Sequence, residues 1–160
     1  MTAKRLTGGC QCGAVRYRVD GELTFAHICN CRMCQKASGN YFMALANARK
    51  DEFTVTRGDI AWFHSSDPVR RGFCEACGTP LIFETIAMTH LNVTLGSLDD
   101  PAAVRPERQF GLEARMPWLS ALDHLPGAPT GDDPEDDGVR IATVLASNRQ
   151  HPDHDTETWP

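Results

Sequence analysis

Cys29-Asn30-Cys31-Arg32-Met33-Cys34 puts three thiols into one short run, and two more such groups flank it: Cys10-Gln11-Cys12 upstream and Cys74-Glu75-Ala76-Cys77 downstream. All seven cysteines of the 160-residue chain fall in these groups. Thiols spaced by one or two residues can turn toward a common point and replace water around a soft cation, whereas residues so close make poor disulfide partners. Zinc is the metal this donor set favours.

How the thiols divide decides the chemistry. Alternate residues of an extended strand face one way, so each C-x-C pair can reach one ion, and a C-x-x-C turn curls both its thiols inward. Cys10, Cys12, Cys74 and Cys77 then form a closed tetrahedron, expected to be structural. Cys29, Cys31 and Cys34 hold a second zinc and keep its fourth position for water or an incoming ligand, so that site is the expected catalytic one. A rival division joins Cys31 and Cys34 with Cys74 and Cys77 around a single zinc. It leaves Cys10, Cys12 and Cys29 either redox-active or inert. Spacing alone keeps both divisions open.

An odd cysteine count argues against a secreted disulfide framework, and no apolar run follows Lys4 and Arg5; together they predict a soluble cytoplasmic protein. The formal charge is −5, and two zinc ions with seven thiolates would take it to about −8. Such a surface has no basic stripe for nucleic acid and no polybasic patch for anionic lipid, so neither is an expected partner. A small molecule or another protein is.

Alternation and punctuating glycines and prolines predict short strands at Ala14–Val19, Phe42–Ala46, Phe53–Thr56, Ile60–His64, Pro80–Glu84 and Leu91–Leu95. Helical signal is confined to brief turns at Met33–Ala37, Asp100–Val104 and Pro117–Leu122. The chain therefore reads as mainly β, with one zinc-binding domain over residues 1–126. An acidic linker rich in proline and glycine follows at 127–138, then a segment 139–160 that docks or stays loose.

The runs Gly8-Gly9-Cys10-Gln11-Cys12-Gly13-Ala14-Val15-Arg16-Tyr17, Cys29-Asn30-Cys31-Arg32-Met33-Cys34-Gln35-Lys36-Ala37-Ser38-Gly39 and Arg71-Gly72-Phe73-Cys74-Glu75-Ala76-Cys77-Gly78-Thr79-Pro80-Leu81, in that order, resemble the glutathione-dependent formaldehyde-activating enzyme family. The resemblance spans roughly residues 5 to 125. It implies a fold like that of the Mss4 guanine-nucleotide exchange factor, a β-tent of antiparallel sheets pinned by zinc. It also implies the two-ion division, with Cys10, Cys12, Cys74 and Cys77 structural and Cys29, Cys31 and Cys34 catalytic. The implied activity is that of a carbon–sulfur lyase, an S-(hydroxymethyl)glutathione synthase joining glutathione to formaldehyde.

The surrounding residues suggest supporting roles. Glutathione carries two carboxylates, for which Arg32, Lys36, Arg70 and Arg71 are the nearby basic candidates. Ser38, Lys36 or a backbone N–H could stabilise a developing oxyanion. His27 is a possible fourth ligand, though an isolated histidine is more often a partly buried polar residue. His151 and His154 with Asp153 and Asp155 read as a polar tail. Phe42, Trp62, Phe63, Phe73, Phe83 and Trp118 read as core, with Phe42 or Trp118 available to line a pocket. Two other functional classes stay open: a non-catalytic zinc-stapled binding module, and a redox enzyme resembling methionine sulfoxide reductase B, which needs a free cysteine outside the metal shell.

Overall fold

The structure, a computed structural model, describes residues 5–132 and 139–158. Its strands are β1 (Arg5–Gly9), β2 (Arg16–Asp20), β3 (Thr24–Cys29), β4 (Met43–Arg49), β5 (Phe53–Arg57), β6 (Ala61–Ser66), β7 (Val69–Phe73), β8 (Pro80–Thr85), β9 (His90–Thr94) and β10 (Arg108–Phe110). Helix α1 (Arg32–Ser38) lies between β3 and β4, and α2 (Val139–Ser147) comes near the end of the chain. A small sheet has the order β1-β2-β5 and a large one the order β10-β3-β4-β9-β8-β7-β6. Neighbours are antiparallel except β10 with β3. The fold is thus mainly β, with open sheets and few short helices, as expected. No helix among the described residues is long and apolar enough to cross a membrane.

The core lies where the two sheets face each other. Tyr17 and Val19 of β2 pack with Ala46 and Ala48 of β4, Leu81 of β8 and Val93 of β9, all buried. Alternation along these strands puts one apolar set inward, and removing that area from water is the main driving force of folding. Tyr17 is fully buried, stacked on Phe53 at 5.3 Å between ring centroids, and its hydroxyl shares a 2.7 Å hydrogen bond with Ser97 Oγ.

Each of the six expected strands has a counterpart. Four more, β1, β3, β7 and β10, complete the sheets. The turns expected at Asp100–Val104 and Pro117–Leu122 are short 3-10 segments at Pro101–Ala103 and Leu119–His124. Of the six aromatics expected in the core, Trp62 and Phe83 pack against it, whereas Phe63 is 61% exposed on β6 and Trp118 is half-exposed, edge-on to Tyr41 with ring centroids 4.6 Å apart.

At the end of the chain the polar residues dock, and no residue of the apolar segment α2 is buried. The His151 N–H donates to Gln11 O at 2.7 Å, and its ring Nε2 lies 3.1 Å from Thr156 Oγ1. Arg16, only 3% exposed, pairs with Asp99 at 2.5 Å and with Asp155 at 2.8 Å. Arg57 adds hydrogen bonds to Gly13 O and to the Thr156 carbonyl and hydroxyl. Of the expected linker, residues 127–132 are exposed and 133–138 lie outside the described residues.

Candidate metal centres

The sulfurs fall into two groups, Cys10, Cys12, Cys74 and Cys77 in one and Cys29, Cys31 and Cys34 in the other, with all ligand atoms of each group within 4.8 Å of one another. The rival division, which joined Cys31 and Cys34 to Cys74 and Cys77, does not occur.

In the first group the chain makes two matching turns. Cys10 N–H donates to Val15 O at 3.0 Å and Gly13 N–H returns to Cys10 O at 3.1 Å. Cys74 N–H donates to Thr79 O at 3.0 Å and Gly78 N–H to Cys74 O at 2.8 Å. Gly13 and Gly78 take φ of 75° and 78°, left-handed values that close such a turn with little strain only for glycine. The geometry differs here from the expectation that C-x-C thiols converge from an extended strand: β1 ends at Gly9, and the turn after it aims both thiols. The Sγ atoms of Cys10 and Cys12 are 3.6 Å apart, and those of Cys12 and Cys74 3.9 Å. Four sulfurs at about 2.3 Å from a tetrahedral zinc would stand about 3.8 Å from one another. The donor set therefore fits zinc, and it ties the end of β1 in the small sheet to the β7–β8 turn of the large one.

The second group forms where β3 gives way to α1. Cys29 is the last residue of β3, Cys31 the N-cap of α1 and Cys34 its third residue, with Cys29 and Cys31 Sγ 3.4 Å apart. The Cys34 N–H points at the Cys31 sulfur, 3.5 Å away. These separations suit a metal of the same size. Among the described residues no fourth His, Cys, Asp or Glu joins the group. His27 is elsewhere: its Nδ1 lies 2.8 Å from Phe25 O and its ring packs edge-on to Phe110.

Burial raises most of these thiols. It pushes Cys10 up to about 12 against the pull of the Val15 N–H donated to its sulfur at 3.2 Å. In the second group it pushes Cys29 up to about 12 and raises Cys34 despite the Arg71 guanidinium beside it. Each group also holds one thiol that moves the other way. Cys77 falls to about 6 because the Thr79 hydroxyl at 3.2 Å and neighbouring N–H groups outweigh burial. Cys31 falls below its ordinary value because burial is outweighed first by the Cys34 N–H. A cation binding in either place must displace the remaining thiol protons.

Several residues that sequence reasoning left aside shape the three-cysteine centre. Asn30 is fully buried, and its backbone and side-chain N–H groups both reach Phe110 O, at 2.9 and 3.0 Å. Gln35, also buried, donates to Asn30 O at 2.8 Å and to Ala114 O at 2.9 Å, strapping the segment after β10 to α1. Gly111 takes φ 66°, and a Cβ there would stand 2.6 Å from Cys31 N. Asn30 lies inside the cysteine motif and Gln35 directly follows it, where polar residues that bind no metal were the available signal; Gly111 had none.

The basic candidates separate cleanly. Arg71 donates to Cys34 Sγ at 3.7 Å and to Met43 Sδ at 3.8 Å. Arg70 instead pairs with Glu84 at 2.5 Å and lies over the Trp62 ring, so it holds the sheet together. Arg32 is bonded to Gln35 Oε1 at 2.5 Å. Ser38 is not an oxyanion donor: its hydroxyl donates back to Cys34 O at 2.8 Å at the end of α1.

Comparison with known proteins agrees with this architecture. A crystal structure of a Rhodobacter sphaeroides protein superposes with a TM-score of 0.53 at 23% identity, covering 64% of this chain and 98% of that one, which speaks to the fold alone. The family model for the glutathione-dependent formaldehyde-activating enzyme matches residues 5–113, which include both cysteine groups and the strands that carry them. The chain belongs to the glutathione-dependent formaldehyde-activating enzyme family.

Proposed function

We propose that this chain is a zinc-dependent carbon–sulfur lyase, similar to S-(hydroxymethyl)glutathione synthase, which joins a thiol such as glutathione to an aldehyde at the three-cysteine centre. The observation that carries the reading is that centre itself: three convergent sulfurs with no fourth protein ligand among the described residues. Cys29, Cys31 and Cys34 would hold the catalytic zinc, and Cys10, Cys12, Cys74 and Cys77 the structural one. The metal would lower the pKa of a thiol drawn to its open position and hold it for attack.

The reaction is an addition without redox change. The thiol sulfur forms a bond to the carbonyl carbon, the carbonyl π bond opens, and the thiol proton ends on the oxygen. Arg71 stands beside Cys34 with N–H groups that can face that oxygen, and Lys36 is two residues beyond Cys34 on α1. All seven cysteines belong to one group or the other, which leaves no separate nucleophile for the redox alternative. The domain doing this work is taken as residues 1–126, with the segment after 139 completing it through the docked tail.

The spontaneous condensation of formaldehyde with glutathione sets the test. Exchange between free and thiol-bound formaldehyde, followed by NMR line shape, is expected to accelerate with zinc-loaded protein and to fall to the uncatalysed rate with Cys31→Ser. An unchanged rate with the fully loaded wild type would overturn the reading and favour a binding module.

A further inference from the structure

A recess of about 680 Å³ opens beside the three-cysteine centre, between α1 and strands β6, β7 and β8. Met33 and Ala37 of α1, Met43 of β4, Phe63 of β6 and Phe73 of β7 form its walls, and its charged members are Lys36 and Arg71. Met43 packs against Cys34, and Arg71 donates to both. The recess and the cysteines therefore share a boundary made of these two side chains.

Two features set the character of its occupant. Met33 and Phe63 are 66% and 61% exposed, large apolar surfaces left facing water where the recess opens. Arg71 is 9% exposed, and among the described residues its guanidinium donates to sulfur and is in no ion pair with a carboxylate. A buried guanidinium without a carboxylate is stabilised by an incoming electron-rich oxygen. Apolar walls of this extent are wasted on a one-carbon substrate, since recesses of about 300 to 1,000 Å³ enclose ligands far larger than formaldehyde.

We infer that the carbonyl substrate of this centre is an aldehyde bearing an apolar chain of roughly six carbons, and its product the glutathione hemithioacetal, with the chain in the recess and the oxygen at Arg71. The inference rests on the function proposed above and names its substrate class. In the step, glutathione sulfur bonds to the aldehyde carbon, the carbonyl π bond opens and the thiol proton moves to the oxygen; in the reverse direction the same bond breaks.

S-Methylglutathione and S-hexylglutathione, titrated by calorimetry into the zinc-loaded protein, measure the preference without turnover. Each buried methylene tightens binding about fourfold, so the hexyl ligand is expected to bind about 10² to 10³ times more tightly. Phe63→Asn, at a solvent-facing position, and Ala37→Trp, which fills the recess, are each expected to narrow that gap tenfold or more while metal content stays at the wild-type value. Equal affinities in the wild type overturn the inference, as does a hexyl preference that both variants leave intact, because the chain would then sit elsewhere. Rates with hexanal and formaldehyde separate the two proposals. Acceleration of formaldehyde exchange without a chain preference removes the apolar substrate and keeps the reaction. A hexyl preference with neither aldehyde accelerated removes the reaction and keeps the apolar ligand.

Discussion

Arg71 places a buried positive charge 3.7 Å from Cys34 Sγ. Three thiolates around a divalent zinc would leave a net negative centre, and a neighbouring buried guanidinium would stabilise that charge. Arg71→Met removes the charge while keeping much of the packing against Phe83, whose ring centroid is 5.0 Å from the guanidinium carbon. Zinc affinity of the three-cysteine centre is expected to fall about 10- to 100-fold, read by competition with a chromophoric chelator, with the other equivalent unaffected. Gly111 makes a second demand on the same centre. Gly111→Ala forces a Cβ toward Cys31 N at a left-handed φ, and the expected cost is about 1 to 3 kcal/mol in urea unfolding of the zinc-loaded protein.

The docked tail is an element held, among the described residues, by hydrogen bonds and ion pairs to Gln11, Arg16 and Arg57. His151 is 4% exposed, and burial, reinforced by the charges of Arg16 and Arg57, holds its imidazole below the ordinary 6.5. A histidine whose folded pKa is depressed binds fewer protons in the native state, so its contribution is present above about pH 6.5 and is lost as pH falls through the window below. Losing its ring hydrogen bonds in His151→Gln costs about 1 kcal/mol, or roughly 2 to 4 °C in Tm for a chain of this size. Thermal unfolding between pH 5 and 8 is expected to show that gap widest at the alkaline end and closing toward pH 5. Asp99 runs in the opposite range: burial raises its carboxyl, but the hydrogen bonds from Arg16 outweigh burial and hold it below the usual value, so its share persists until acid pH. The same element shows where sequence reading stops. Strands such as Leu91–Leu95 announced themselves by alternation, and the thiols by their spacing. The burial of Arg16 and His151 follows from partners far along the chain, Asp99, Asp155 and Gln11, which no local pattern connects. Strand β7, Val-Arg-Arg-Gly-Phe, hid for a similar reason: Arg71 and Gly72 are buried in a run that reads as polar.

At the scale of the whole molecule the two candidate metal centres differ in what they join. The four-cysteine group takes two ligands from the end of β1 and two from the β7–β8 turn, so it bridges both sheets, whereas the three-cysteine group lies within one continuous stretch from β3 into α1. A bound ion stabilises the fold by as much as it binds the folded state more tightly than the unfolded chain, and that difference is larger for the first group, whose ligands are far apart in sequence. Stepwise chelation is therefore expected to remove one equivalent with the far-UV spectrum unchanged and the second together with a cooperative loss of β structure. Cys31→Ser should reproduce the first stage, purifying with one fewer ion and a near-native melting curve; Cys74→Ser should reproduce the second, through unfolding or aggregation. Simultaneous loss of both ions, or equal damage from both substitutions, would mean that the two centres stabilise the sheets jointly and that the division into a structural and a catalytic ion does not hold.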